Sequence, residues 1–231
     1  PGPPRWSRTD RYVDPLIGTR NGGNVFPGAV TPFGMFSFSR RHPGRRHQNR
    51  RPRRLPVRRH AHPRLQPHPH VRHRLRRRQR RHTPLPVRGE VTTSPAADTK
   101  DAVYAADFKH ADEQAGPGHY KVGLASGVTA DLTATARTGS ARFTYPADKP
   151  ASLLIRTANS EVGSADSSVT IDPAGRTVSG SVTSGNFCGY LDPEGRRSYY
   201  TLYFTARFDR AFKATGTWQD GKLSPGSTSA T

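Results

Sequence analysis

His119-Tyr120-Lys121-Val122-Gly123-Leu124 places Tyr120, Val122 and Leu124 on one face of an extended segment. Val128-Thr129-Ala130-Asp131-Leu132-Thr133-Ala134-Thr135-Ala136 follows with the same period of two and a high threonine content. Successive side chains of a strand point to opposite faces, so this alternation marks half-buried strands. The runs Ala141-Arg142-Phe143-Thr144-Tyr145-Pro146, Ala151-Ser152-Leu153-Leu154-Ile155, Val169-Thr170-Ile171, Thr177-Val178-Ser179-Gly180-Ser181-Val182 and Tyr199-Tyr200-Thr201-Leu202-Tyr203-Phe204-Thr205-Ala206-Arg207-Phe208 read the same way. Asp172-Pro173-Ala174-Gly175 and Asp192-Pro193-Glu194-Gly195 supply turn chemistry between them. No long amphipathic helix breaks the pattern. The expected fold is all-β, an antiparallel β-sandwich.

Upstream, Phe36 and Phe38 alternate with Ser37 and Ser39, the mark of another half-buried strand. Tyr12-Val13-Asp14-Pro15-Leu16-Ile17-Gly18-Thr19 is a short apolar run expected to be a strand, with Asp14 bonding its own turn rather than acting in catalysis. Ala106-Asp107-Phe108-Lys109-His110 precedes residues 111–118, expected to form a polar turn or loop. Asp112 and Glu113, adjacent carboxylates that point apart, are expected as surface charge. His110 and His119 are too few for a metal site. Residues 224–231 read as a linker or as the point where the chain is cut.

Asn21-Gly22-Gly23-Asn24-Val25-Phe26-Pro27-Gly28-Ala29-Val30-Thr31-Pro32-Phe33-Gly34-Met35 packs four glycines and two prolines into fifteen residues. Glycine permits positive φ and close backbone approach, and proline fixes φ. Phe26, Phe33 and Met35 are expected to pin the loop by burial. Such a loop presents side-chain amides to a ligand or simply leads the chain rigidly into the core. The glycines alone leave both readings open.

The net charge of +20 is confined. Residues 40–88 hold nineteen Arg, eight of the ten His, and no Lys, Asp or Glu. The remainder carries eighteen basic residues against seventeen acidic ones, a near-neutral domain. No apolar run is long enough to span a bilayer, and the opening residues lack the apolar core of a signal peptide. The single cysteine, Cys188, excludes an internal disulfide and any cysteine-based zinc site.

Residues 40–85 nearly lack hydrophobic side chains and cannot bury enough apolar surface to offset their ordering entropy, so disorder is expected. Three origins compete: an arginine-rich nucleic-acid arm, a solvated linker, and a GC-rich gene read in the wrong frame. Joining the last two bases of each codon to the first of the next tests the third. Gln66 before Pro67 then encodes only Ser or Asn, His68 before Pro69 only Thr or Ile, and His70 before Val71 only Met or Thr. Residues 64–76 read in that way yield G-F-S-L-T-H-M-S-G-T-G-C, a sequence of folded-protein character.

Several stretches together resemble the N-terminal domain of glycoside hydrolase family 92, the calcium-dependent exo-acting α-mannosidases. They are the 12–19 run, the loop from Asn21 to Ala29, Pro32-Phe33-Gly34-Met35, Phe108-Lys109-His110-Ala111-Asp112-Glu113, Pro117-Gly118-His119-Tyr120-Lys121-Val122, residues 131–139, Gly185-Asn186-Phe187-Cys188-Gly189 and Tyr200-Thr201-Leu202-Tyr203-Phe204. The family typically carries a segment like the shifted-frame reading in the gap. The resemblance assigns residues 1–39 and 89–223 to the sandwich, with 40–88 an insert.

The resemblance implies a β-sandwich packed on a C-terminal (α/α)6-barrel, with the active site between them. It implies inverting hydrolysis of terminal α-mannosides, which needs an acid and a base about 6.5–9.5 Å apart on opposite sides of the sugar. It places both, with most ligands of the calcium ion, in the C-terminal domain, so this chain alone is expected to hold no calcium and to hydrolyse nothing. Asn21, Gly22, Gly23, Asn24 and Phe26 are expected to line the sugar cleft, with Cys188 a further candidate against its reading as a small buried hydrophobe. The expected partners are mannose-containing glycans and the barrel domain, in a secreted or cell-envelope bacterial enzyme. Two other classes remain. An autonomous carbohydrate-binding module needs an exposed aromatic platform, whereas Trp6 and Trp218 sit at the edges of the strand pattern. A nucleic-acid binder would act through the arginines, with steep salt dependence.

Overall fold

The computed structural model describes residues 12–19, 27–39, 84–94, 104, 106–158, 164–185 and 199–231. In chain order these form β1 (Gly28–Val30), β2 (Ser37–Ser39), β3 (Leu85–Arg88), β4 (Phe108–Gly116), β5 (His119–Leu124), β6 (Thr129–Ala134), β7 (Gly139–Thr144) and β8 (Ala151–Leu154). Then come β9 (Ser164–Asp172), β10 (Thr177–Gly185), β11 (Tyr199–Arg207), β12 (Gly216–Gln219), β13 (Lys222–Pro225) and β14 (Ser229–Ala230). Every pairing is antiparallel. The fold is the expected all-β sandwich, and among the described residues no helix is long and apolar enough to cross a membrane.

The central sheet runs β4-β5-β6-β7. Its inner face carries Tyr120, Val122, Ala130, Leu132 and Ala134, and the β1–β2 ribbon covers that face with Ala29 and Phe38. Phe36 and Phe38 meet edge to face at 4.7 Å. Gly139 makes room for them, because a Cβ there would overlap the Phe36 ring. Fully burying one such aromatic stabilises the fold by about 1.5–3 kcal/mol. The second four-stranded sheet runs β11-β10-β9-β14, with Val178 and Val182 buried on one face. Its other face is a carpet of hydroxyls, where Ser168 bonds Ser181 and Thr183 bonds Thr201, each at 2.9 Å.

Six local expectations are corrected. Residues 12–19 are consecutive turns, not a strand. Asp14 does bond its own turn, accepting from the Leu16 amide at 2.8 Å, and Gly18 closes the run at φ 79°. Phe33 and Met35 are exposed rather than buried. Pro32 and Phe33 occupy the middle of a turn closed by the Gly34 amide donating to the Thr31 carbonyl at 3.0 Å, and Phe33 sits at φ 56°. That turn throws its side chain outward.

The expected loop at 111–118 is instead strand up to Gly116, closed by the tight Pro117–Gly118 turn with Gly118 at φ 70°. Residues 224–231 are not a free linker, since β14 pairs with β9 and the Ile171 amide donates to the Thr228 carbonyl at 2.7 Å. Trp218 lies inside β12 rather than at the edge of the strand pattern. Leu85–Arg88, the last four residues of the arginine-rich composition, form β3 and pair with β8. Arg88 also forms an ion pair with Asp148 and donates to the Ser126 carbonyl at 3.0 Å.

Candidate functional site

The six residues that the sequence nominates for the sugar cleft, Asn21, Gly22, Gly23, Asn24, Phe26 and Cys188, lie outside the described residues. What the structure gives is their anchorage. On the near side, Thr19 is buried, and both its amide and its hydroxyl donate to the Leu16 carbonyl, at 3.2 and 2.8 Å. On the far side, Pro27 is fully buried and Ala29 enters the core beneath β2. The Gly28–Val30 strand pairs in register with Ser39, Phe38 and Ser37. The described chain is therefore buried on either side of the loop, at Thr19 within its own turn and at Pro27 next to β1. On the other side, Gly185 ends β10 at φ 155°, two residues before Phe187-Cys188.

A second cluster sits on the central sheet. The Pro117–Gly118 turn fixes the register Gly116 to His119, Ala115 to Tyr120, and Glu113 to Val122. That register puts Glu113 on the inner face, with Tyr120. The Tyr120 hydroxyl donates to Glu113 Oε1 at 2.6 Å, and His110 Nδ1 lies 2.6 Å from Oε2. The Glu113 side chain is wholly enclosed, so the expectation of surface charge is corrected for it; Asp112, on the opposite face, is exposed as expected. Burying a carboxyl is costly unless hydrogen bonds satisfy it, and here both oxygens are engaged.

Beyond Glu113 the ladder breaks. Four residues of β4, 109–112, stand opposite Gly123 alone before Phe108 pairs with Leu124. This wide bulge carries His110, whose ring meets Phe108 edge to face at 6.1 Å. His119 faces a different carboxylate, with Nε2 2.7 Å from Asp131 Oδ1. Among the described residues, no three His, Cys, Asp or Glu side chains converge as a metal site. The enclosed Glu113 serves the sheet; it holds the bulge and does not face a cleft as a proton donor. Sequence reasoning missed this role, although the signal was present in the Pro-Gly turn, which sets the parity of Glu113.

The family model for the glycosyl hydrolase family 92 N-terminal domain matches residues 12–50 and 80–231. The unmatched stretch falls within the arginine-rich segment. None of the curated proteins matches significantly. Among solved structures, the gh92 family glycosyl hydrolase ccman5 is 30% identical over 64% of this chain and 20% of its own, with a TM-score of 0.52. The family GH92 inverting mannosidase BT2199 from Bacteroides thetaiotaomicron VPI-5482 is 24% identical over 64% of this chain and 18% of its own, at TM-score 0.51. The family GH92 alpha-mannosidase BT3965 from Bacteroides thetaiotaomicron is 20% identical over 97% of this chain and 30% of its own, at TM-score 0.59. For the last two the likeness is one of fold. The chain thus spans less than a third of the length of each of these relatives. With the family model matched along both flanks of the arginine-rich segment, the chain belongs to the glycosyl hydrolase family 92 N-terminal domain family.

Proposed function

We propose that this chain is the sandwich half of an inverting α-mannosidase and that its loop at residues 21–26 forms one wall of the sugar cleft. The observation that carries the reading is the family match, which runs through the loop within residues 12–50 and resumes from residue 80 beyond the arginine-rich segment. Its physical support is the burial of Thr19 and Pro27, which flank a segment holding two asparagine amides. Amides both donate and accept, which suits vicinal sugar hydroxyls. The catalytic acid and base belong to polypeptide outside these 231 residues. On this reading the arginine-rich segment, part of which the family model leaves unmatched, replaces sequence of the sugar cleft that the shifted reading frame would restore.

The test compares two polypeptides on a terminal α-mannoside. The 231-residue chain releases no mannose. The frame-restored polypeptide joined to its catalytic domain releases mannose whose first anomer, by proton NMR, is β. In that polypeptide Asn24→Ala lowers kcat/KM by about tenfold, equivalent to about 1.4 kcal/mol of lost transition-state binding. Hydrolysis by the short chain, first release of the α anomer, or an unaffected Asn24→Ala variant overturns the reading.

A further inference from the structure

The bulge in β4 has a consequence on the outer face of the central sheet. Four β4 residues stand against Gly123 alone, so the β4 backbone lifts away from β5 where β5 has no side chain. The result is an open depression of about 530 Å³, lined on this face by Asp112, Gln114, Lys121, Gly123 and Thr129. That volume falls within the range of about 300–1,000 Å³ typical of small-molecule sites. The cavity faces away from the β1–β2 ribbon and from the enclosed Glu113, because Gln114 pairs with Lys121, one residue out of phase with Glu113 and Val122.

The rim groups have no other task. Among the described residues, the side chains of Asp112, Gln114 and Lys121 make no hydrogen bond or ion pair with the protein. Asp131, the cross-strand neighbour of Lys121, is taken up by His119 at 2.7 Å. One rim group carries negative charge and one positive, with an amide and a hydroxyl beside them. Asp112 disfavours an anion and Lys121 a cation. A neutral polyol with adjacent hydroxyls uses both, donating to the carboxylate and accepting from the ammonium. We propose that this outer-face cavity is a glycan-binding site separate from the loop at 21–26, taking one or two neutral sugar rings.

The test titrates the 231-residue chain with methyl α-mannoside and with α-mannobiose while following backbone amide shifts. Binding is saturable at millimolar concentration, with shifts centred on Gly123 and Thr129. Gly123→Val fills the cavity without backbone strain, since a Cβ at Gly123 would lie 3.6 Å from that of Asp112, an ordinary contact. That variant and Asp112→Ala each weaken binding at least about tenfold. If Gly123→Val fails to fold by circular dichroism, Lys121→Ala, a change of one outward side chain, reports the same loss. An uncharged sugar competes and a uronic acid does not. Absence of saturable binding, shifts centred elsewhere, or variants that bind like the parent chain overturn the proposal, whether or not the frame-restored enzyme hydrolyses mannosides.

Discussion

Tyr120 and Glu113 are locked together inside the central sheet, the phenol donating to the carboxyl at 2.6 Å across adjacent strands. The Tyr120 ring belongs to the main apolar cluster and is only 1% exposed. One hydrogen bond therefore ties the β4 bulge to the core. Tyr120→Phe keeps the ring and removes the donor from a buried acceptor, a loss of about 1–3 kcal/mol. Glu113→Ala costs at least as much, because it also removes the carboxylate oxygen that faces His110. Both appear as lowered urea midpoints with unchanged slope. A Tyr120→Phe midpoint equal to that of the parent would show that the bond carries no net stability.

Gly180 is a packing requirement of the second sheet. A Cβ there would overlap the main-chain carbonyl of Ser168 on β9 and come within 2.9 Å of the Phe204 ring. Backbone in mid-sheet has little room to yield, so Gly180→Ala destabilises by about 1–3 kcal/mol. Gly221→Ala is its comparison: nothing lies within 4 Å of the added carbon, and only the positive φ of 78° opposes it. Thermal melts of the two variants separate crowding from backbone strain.

Stability depends on pH at both extremes. Burial pushes the Tyr145 phenol up to about 12 from 10.0, and its hydroxyl donates to the Ser152 carbonyl at 2.8 Å. A raised folded-state value means the stabilisation is complete below pH 10 and is lost as pH rises toward 12. At the other end, the Arg88 guanidinium bonded to Asp148 holds that carboxyl below its ordinary value of 3.8. The contribution is present above that value and disappears as pH falls through the lower, folded-state one. Tyr145→Phe flattens the alkaline limb of a stability profile, and Asp148→Asn flattens the acid limb. Unchanged limbs in these variants would refute the assignments.

The arginine-rich segment predicts a property that says nothing about catalysis. Nineteen Arg without a single acidic residue between 40 and 88 attract any polyanion. Binding to random-sequence DNA falls steeply with salt, by counterion release, and is lost when residues 51–79 are deleted. Sequence-selective binding that survives at high salt would restore the nucleic-acid reading.

The central sheet was legible because its signals agree. In β5 the period-two run, the Pro-Gly turn before it and the observed bounds coincide, and Tyr120 and Val122 are the buried pair. β4 was not legible, because its four-residue bulge breaks the alternation that marks a strand. Phe33 misled for another reason: hydrophobicity speaks for burial, but a left-handed turn position overrides it. The β12–β13 hairpin had a local signature that went unread. Asp220 and Gly221 both adopt positive φ, as a two-residue type I′ turn demands. For the residues expected at the sugar cleft, family likeness named the loop, while the structure shows only that Thr19 and Pro27 beside it are buried.

The β1–β2 ribbon carries one more implication. Ala29 and Phe38 are held beneath Tyr120 and Leu132 by burial, and the chain from there to Leu85 is their only covalent route to the later strands. A protease that nicks the arginine-rich stretch would thus divide the polypeptide without dividing the molecule. The short amino-terminal piece would co-elute with the larger fragment until denaturant prised Phe38 out of its socket.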